Sequence, residues 1–146
     1  MLRVDRRNLM LTLVEANRAV EAALAKAEDL AINISVTVCD AYGHLVSHQR
    51  MDHAFAEACH MSMGKAIAAA GLGLPSGEQS ERSLEASLVD RVVARGAPII
   101  RIRGGLPIIR GGEVEGGVGV CGGQTHEQDE QCARAEIQAL SSGQLC

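Results

Sequence analysis

The sequence predicts an α/β protein in which helices cover a largely antiparallel sheet. Apolar spacing switches along the chain between a helical period and strict alternation, the two patterns that separate helices from strands. The alternating segments come in pairs, joined by the short turns Asp40-Ala41-Tyr42-Gly43 and Gly111-Gly112, and hairpin connections make antiparallel neighbours. A third observation concerns packing: 146 residues include one Tyr, one Phe and no Trp. Aromatic side chains ordinarily supply much of a core's area. Here Ala, Gly, Val, Leu and Ile must fill it, so backbones must approach closely, helix against sheet or subunit against subunit.

Leu9, Leu13, Ala16, Val20, Leu24 and Ala27 recur at helical spacing and predict a helix over 12–29, with Thr12 and Glu15 forming a capping box. Ile32, Ile34, Val36 and Val38 then alternate with Asn33, Ser35, Thr37 and Cys39, the pattern of a half-buried strand. Asp40 can bond the backbone of its own turn, and Gly43 can take a positive φ. Residues 44–49 return as a second strand. Residues 54–70 predict a helix rich in small side chains, closed by Gly71, Gly73 and Pro75. Beyond the polar loop 76–80, Leu84, Leu88 and Val92 mark another helix, and 99–101 a short strand. Residues 106–110 and 114–121 form the second hairpin, and the Gly111-Gly112 doublet suits a primed turn. Thr125 caps a last helix, with Gln128 at its third position and Ala133, Ile137 and Leu140 as its apolar stripe. The order is α-β-β-α-α-β-β-α, expected as one domain over 1–146. The glycine run from Gly117 is no dinucleotide fingerprint, since no βαβ unit surrounds it.

Composition excludes several classes of partner. A net charge of -4 without a basic block argues against nucleic acid and against anionic membrane. The basic start Met1-Leu2-Arg3-Val4-Asp5-Arg6-Arg7 leads into no long apolar stretch, so it is not read as a secretory signal, and no run reaches a membrane-spanning length. Five scattered cysteines without Cys-x-x-Cys fit a reduced, cytoplasmic setting. No metal site is expected. His44 and His48 on one strand would lie about 13 Å apart at roughly 3.3 Å per residue, and Cys59 and His60 diverge as helical neighbours.

Two groups of motifs carry a resemblance. Asp40-x-x-Gly43, Arg50-Met51-Asp52-x-Ala54, Lys65-Ala66 and Leu74-Pro75-Ser76 make the first. Gly104-Gly105-Leu106-Pro107-Ile108, Gly112-Glu113, Gly116-Gly117-Val118-Gly119-Val120, Gly122 and Asp129-x-x-Cys132-Ala133 make the second. In this order, from Leu11 to about Leu140, they resemble the GlcG/HbpS (DUF336) family, which includes haem-binding sensors and the C-terminal domain of PduO-type, cobalamin-associated adenosyltransferases. The resemblance implies a profilin-like α/β/α sandwich and a homo-oligomer, dimer or higher; the near-uniform apolarity of 54–70 points to an oligomer as well. It does not imply one activity, because function on a shared scaffold resides in the site. Where the family usually has Ser, this chain has Cys121, either a nucleophile or a small buried apolar group.

The residues themselves favour a small anionic ligand. Gly122 and Gly123 lead into the helix start at Thr125, where open backbone and unpaired N–H groups favour carboxylate or phosphate. Lys65 shares an otherwise apolar helical stripe with Ala54, Ala58, Met61, Ala68 and Ala69; a lysine there must pair, snorkel or work as an acid–base group. Arg50 and Asp52 directly follow a strand, where a guanidinium can clamp a carboxylate. Asp52 either orients it or caps the next helix. The expected function is therefore a small-metabolite-binding protein of a catabolic pathway. Should turnover occur, it would be that of a cofactor-independent hydrolase, deaminase or isomerase acting on a small carboxylate, with Lys65, Asp52 and Cys121 as catalytic candidates and Arg50, Gly122, Gly123 and Thr125 as ligand contacts. The alternative is a non-catalytic haem- or corrinoid-binding accessory protein, with His53, His60 or Met61 as axial donors. The scarcity of aromatic walls ranks haem second on sequence grounds.

Overall fold

The structure, a computed structural model, describes residues 10–78 and 86–142. Its helices and strands are α1 Leu13–Asp29, β1 Ser35–Asp40, β2 Leu45–Arg50, α2 Ala58–Leu72, α3 Ala86–Ala94, β3 Gly105–Arg110, β4 Glu113–Cys121 and α4 His126–Ser142, with a 3₁₀ turn at Ser76–Glu78. This is the predicted order. Both hairpins form, and β1 pairs with β4 between them, giving one antiparallel sheet ordered β2-β1-β4-β3.

Helix α1 starts where its box predicts. The Thr12 N–H donates to Glu15 Oε1 and the Glu15 N–H to Thr12 Oγ1, each at 3.1 Å, satisfying two donors that the helix cannot bond internally. Arg110 grips the same Glu15 carboxylate and that of Glu115, tying α1 to the β3–β4 hairpin. Its bonds hold the Glu15 carboxyl below the usual range. In that hairpin Gly111 and Gly112 take φ of 59° and 77°, the pair of positive values a primed turn demands.

Helices α1 and α4 cover one face. Ala16, Ala19, Val20, Ala23 and Ala27 join Ile34, Val36, Val38, Val118, Val120, Cys132 and Ala133 in one buried cluster. Helix α2 covers the other face, and here the missing aromatics show their consequence. A Cβ on Gly119 would stand 2.0 Å from Ser62 O, and one on Gly117 2.2 Å from Ala66 O, so α2 rests directly on the backbone of β4. On its outer side Ile100 lies over Gly64, and Val92, Ala97 and Ile99 cluster with Ile67 and Ala70. Every residue from Gly64 to Ala70 is buried within one chain. The apolarity of α2 is thus consumed by the sheet and the segment above it, and gives no separate argument for a subunit contact.

Four local expectations are revised. Helix α2 begins at Ala58 rather than 54, because 51–58 is taken up by turns in which Ala54 N–H donates to Met51 O and Ala58 N–H to Phe55 O. Asp52 is consequently no N-cap; Glu57 occupies that position and makes no side-chain cap bond. Residues 99–101 are not a strand, since Ile100 N–H donates to Gly64 O of α2. And β1 is buried on both faces rather than one, because α2 lies over its Ser35, Thr37 and Cys39. Of the helix predicted around Leu84, Leu88 and Val92, Leu84 and the Leu88 side chain lie outside the described residues.

Candidate functional site

The sequence candidates gather at one end of the sheet. Strands β2 and β4 finish there and β1 starts there, with Arg50, Ser35 and Cys121 directly opposite one another in register. Since β2 leads into α2 and β4 into α4, both helices present their N-termini at this end, one on each face. Arg50 and Cys121 are separated by β1, hence by about 10 Å at roughly 4.8 Å per strand. Two shallow clefts lie toward the opposite end, one between the β3–β4 turn and the last turns of α4, the other between the start of α1 and those turns.

Lys65, Cys121, Gly122 and Gly123 come together, along with Asp129, a motif residue that the sequence did not single out as a site candidate. The Lys65 ammonium is fully buried and donates to Val120 O at 2.9 Å and to Asp129 Oδ2 at 3.2 Å. The other oxygen, Asp129 Oδ1, accepts the Gly123 N–H at 2.7 Å. Lys65 therefore pairs, the first of the three options open to it. The pair joins α2 to α4 across the sheet end, passing Gly104, whose Cβ would stand 2.9 Å from Nζ. The helix start is equally self-supplied: Gln124 N–H donates to Gln128 Oε1 and Gln128 N–H to Thr125 Oγ1. An anion arriving at Gly123 would meet the protein's own carboxylate in its place and would have to displace it.

Cys121 is buried beside Met61, Sγ 3.8 Å from Sδ. Burial raises its thiol pKa, the Lys65 charge opposing and the Asp129 charge reinforcing the shift, so it sits there as a thiol rather than a nucleophilic thiolate. Arg50, Asp52, His53 and His60 are exposed at the same end. His53 has φ of 72°, the left-handed region sparsely used by residues other than glycine. Phe55, the chain's single Phe, is half exposed in the turn that leads into α2. The Met51 thioether is already engaged, accepting the Ile34 N–H at 3.3 Å.

A second polar cluster was not foreseen. Beneath α2, His48 Nδ1 lies 2.7 Å from Thr37 Oγ1, and His48 Nε2 lies 3.3 Å from both Cys59 Sγ and Ser35 Oγ. Ser62 Oγ completes it, 3.0 Å from Thr37 Oγ1. Burial, with the Arg50 charge adding to it, lowers the His48 pKa, so the imidazole is neutral at pH 7. The alternating Ser35 and Thr37 were the available signal, but they read equally well as a solvent face. Among the described residues no three His, Cys, Asp or Glu side chains converge as a metal site, and no helix is long and apolar enough to cross a membrane.

A sandwich with this strand order, two helix starts meeting at one sheet end and glycines clearing the way for α2 defines a class of small α/β domains to which solved relatives can be compared. Residues 11–138 match the family described as haem degrading protein HbpS-like, and the chain belongs to that family. It is 35% identical over 132 residues to an uncharacterised 15.0 kDa protein in the dhaT-dhaS intergenic region of Citrobacter freundii, covering 90% of this chain and 92% of the other. It is similar to the crystal structure of Klebsiella pneumoniae protein ORFY, with TM-score 0.77, 32% identity and coverage of 90% and 91%. It is also similar to a crystal structure of a PduOC:haem complex, with TM-score 0.74, 25% identity and coverage of 89% and 94%.

Proposed function

We propose that this chain is a non-catalytic, haem-binding accessory protein that holds its ligand at the sheet end bearing Arg50, His53 and His60. The observation that carries the reading is the joint presence there of exposed imidazoles, one on a strained turn, in a chain whose fold and family match a relative solved with haem. The haem alternative thus moves ahead of the acid metabolite, whose expected contact at Gly123 is taken by Asp129, while Thr125 Oγ1 already accepts the Gln128 N–H.

The residues fit the group in part. His53 and His60 offer imidazole nitrogen donors of the kind haem iron takes. Arg50 offers a guanidinium able to clamp a propionate bidentately, which keeps its predicted role as carboxylate anchor. Phe55 supplies one apolar wall. The described residues do not enclose such a ligand fully, so a second copy across this end supplies the remaining wall, and the protein works as a homo-oligomer. When bound, haem supplies an iron centre for redox or ligand sensing; the chain's own residues bind and orient it. No step requires Lys65, Asp52 or Cys121 to act chemically. A reducing, cytoplasmic setting belongs to the proposal and agrees with four free thiols among the described residues.

Titration of the purified protein with haemin tests this. A Soret band saturating at one haem per chain, shifted or lost in His53→Ala or His60→Ala, is the expected result. Arg50→Ala should weaken binding by about 1.5–3 kcal/mol, the range of a charge-assisted hydrogen bond, or roughly 10- to 150-fold in Kd. A Soret region that never saturates, or one indifferent to both histidines, overturns the proposal. A monomer mass by light scattering, before and after haem, removes its oligomeric part.

A further inference from the structure

The cluster under α2 has an internal proton order. Ser62 Oγ lies 3.0 Å from the carbonyl oxygen of Cys59, an atom that can only accept, and 3.3 Å from Ser35 Oγ; the nearer carbonyl takes the single Ser62 proton. Ser62 Oγ then accepts from Thr37 Oγ1, at 3.0 Å. With its own proton given to Ser62, Thr37 Oγ1 accepts from His48 Nδ1–H, at 2.7 Å. A neutral imidazole carries one N–H, so the network assigns the bare lone pair to Nε2. That lone pair faces two neighbours, Cys59 Sγ and the Ser35 hydroxyl, each at 3.3 Å, and of the two Cys59 is the nucleophile. Cys59 stands in the first turn of α2 and is partly exposed, whereas Cys39, Cys121 and Cys132 are buried. Burial pushes the Cys39 and Cys132 thiols up to about 12.

From this geometry we propose that Cys59 is a nucleophilic thiol site, with His48 as its base and Thr37 as the residue that orients the base, and that it takes low-molecular-weight disulfides. Nucleophile, base and orienting group within hydrogen-bond reach are the parts such a site requires. Cys59 Sγ attacks one sulfur of the incoming disulfide as its proton passes to His48 Nε2. A new S–S bond forms to Cys59, the old S–S bond breaks, and the leaving thiolate recovers the proton from the imidazolium. The incoming disulfide is the oxidant: one of its sulfurs is reduced to a thiol while Cys59 is oxidised to a mixed disulfide. The buried position of Thr37 and Ser62 keeps the tautomer fixed before the attack.

The test uses haem-free full-length protein and oxidised glutathione at pH 7, followed by intact mass and peptide mapping. One glutathionyl group should appear on Cys59, faster by about 10-fold or more than on a free peptide carrying Ala58-Cys59-His60. An unactivated thiol is only a few per cent ionised at that pH, which leaves this much to gain. His48→Gln should bring the rate down to that of the peptide, while Thr37→Val, which removes the acceptor fixing Nδ1–H, should slow it by a smaller factor. The peptide comparison needs only the wild-type chain, so it decides the matter even where a variant fails to fold. Labelling on another cysteine, a native rate at or below the peptide's, or a folded His48→Gln that reacts like the wild type would each overturn the site.

Discussion

Replacing Lys65 by methionine probes the physical centre of this fold. Methionine keeps the length and most of the volume of the lysine stem but removes the ammonium that donates to Val120 O and Asp129 Oδ2. Both partners of the pair are almost fully buried, at 1% and 3% side-chain exposure, so solvent cannot replace the lost cation. Breaking a buried pair from one side costs about 3–5 kcal/mol, because the remaining charge stays desolvated. Asp129 would retain only the Gly123 N–H. Lys65→Met should therefore lose about 3–5 kcal/mol, and Asp129→Leu, which strands the lysine, a similar amount. In Lys65→Met combined with Asp129→Leu neither charge remains. Its main residual cost is the unpaired Gly123 N–H, worth about 1–3 kcal/mol. The double variant should then be no less stable than either single one, so the two losses fall far short of adding. Urea melts at one fixed protein concentration give all four values. A Lys65→Met protein as stable as the wild type, or a double variant showing simple additivity, would refute the account of Lys65 as a structural cation.

Glu136 is wholly buried in α4 with neither carboxylate oxygen hydrogen-bonded, and burial raises its pKa well above its ordinary value of 4.5. The folded state therefore holds the proton more tightly than the unfolded one. Stability from this group is fully present below about pH 4.5 and declines as pH rises from there through the folded value. Glu136→Leu should remove that decline and add about 1–3 kcal/mol at neutral pH, read from urea midpoints at acidic and neutral pH. Gly119→Ala should destabilise beyond the usual overpacking range of about 1–3 kcal/mol, because its Cβ meets Ser62 O and Ala66 N at 2.0 and 2.6 Å, both rigid backbone. A melting temperature within a degree or two of the wild type would show that α2 can lift from the sheet at little cost.

The sequence by itself determined the order of elements, both hairpins, the boxed start of α1 and the need for close small-residue packing, though not whether that packing was against the sheet or a second subunit. Each follows from local chemistry: period, turn residues, capping pairs, and the absence of aromatics that forces small-residue packing. It also showed that Lys65 needed an explanation, since an ammonium in an apolar stripe is costly alone. Only the tertiary structure decided which explanation holds, because Asp129 lies 64 residues away and reaches Lys65 only once α2 and α4 have closed over opposite faces of the sheet. The same applies to β1. Alternation cannot tell a polar face turned to water from one turned to a helix, and Ser35 and Thr37 became a buried network with His48 and Cys59 only because α2 covers them. Local pattern fixes what each segment is; which charges are cancelled and which nucleophile meets a base depends on contacts between segments distant in the chain, and these leave no periodic trace.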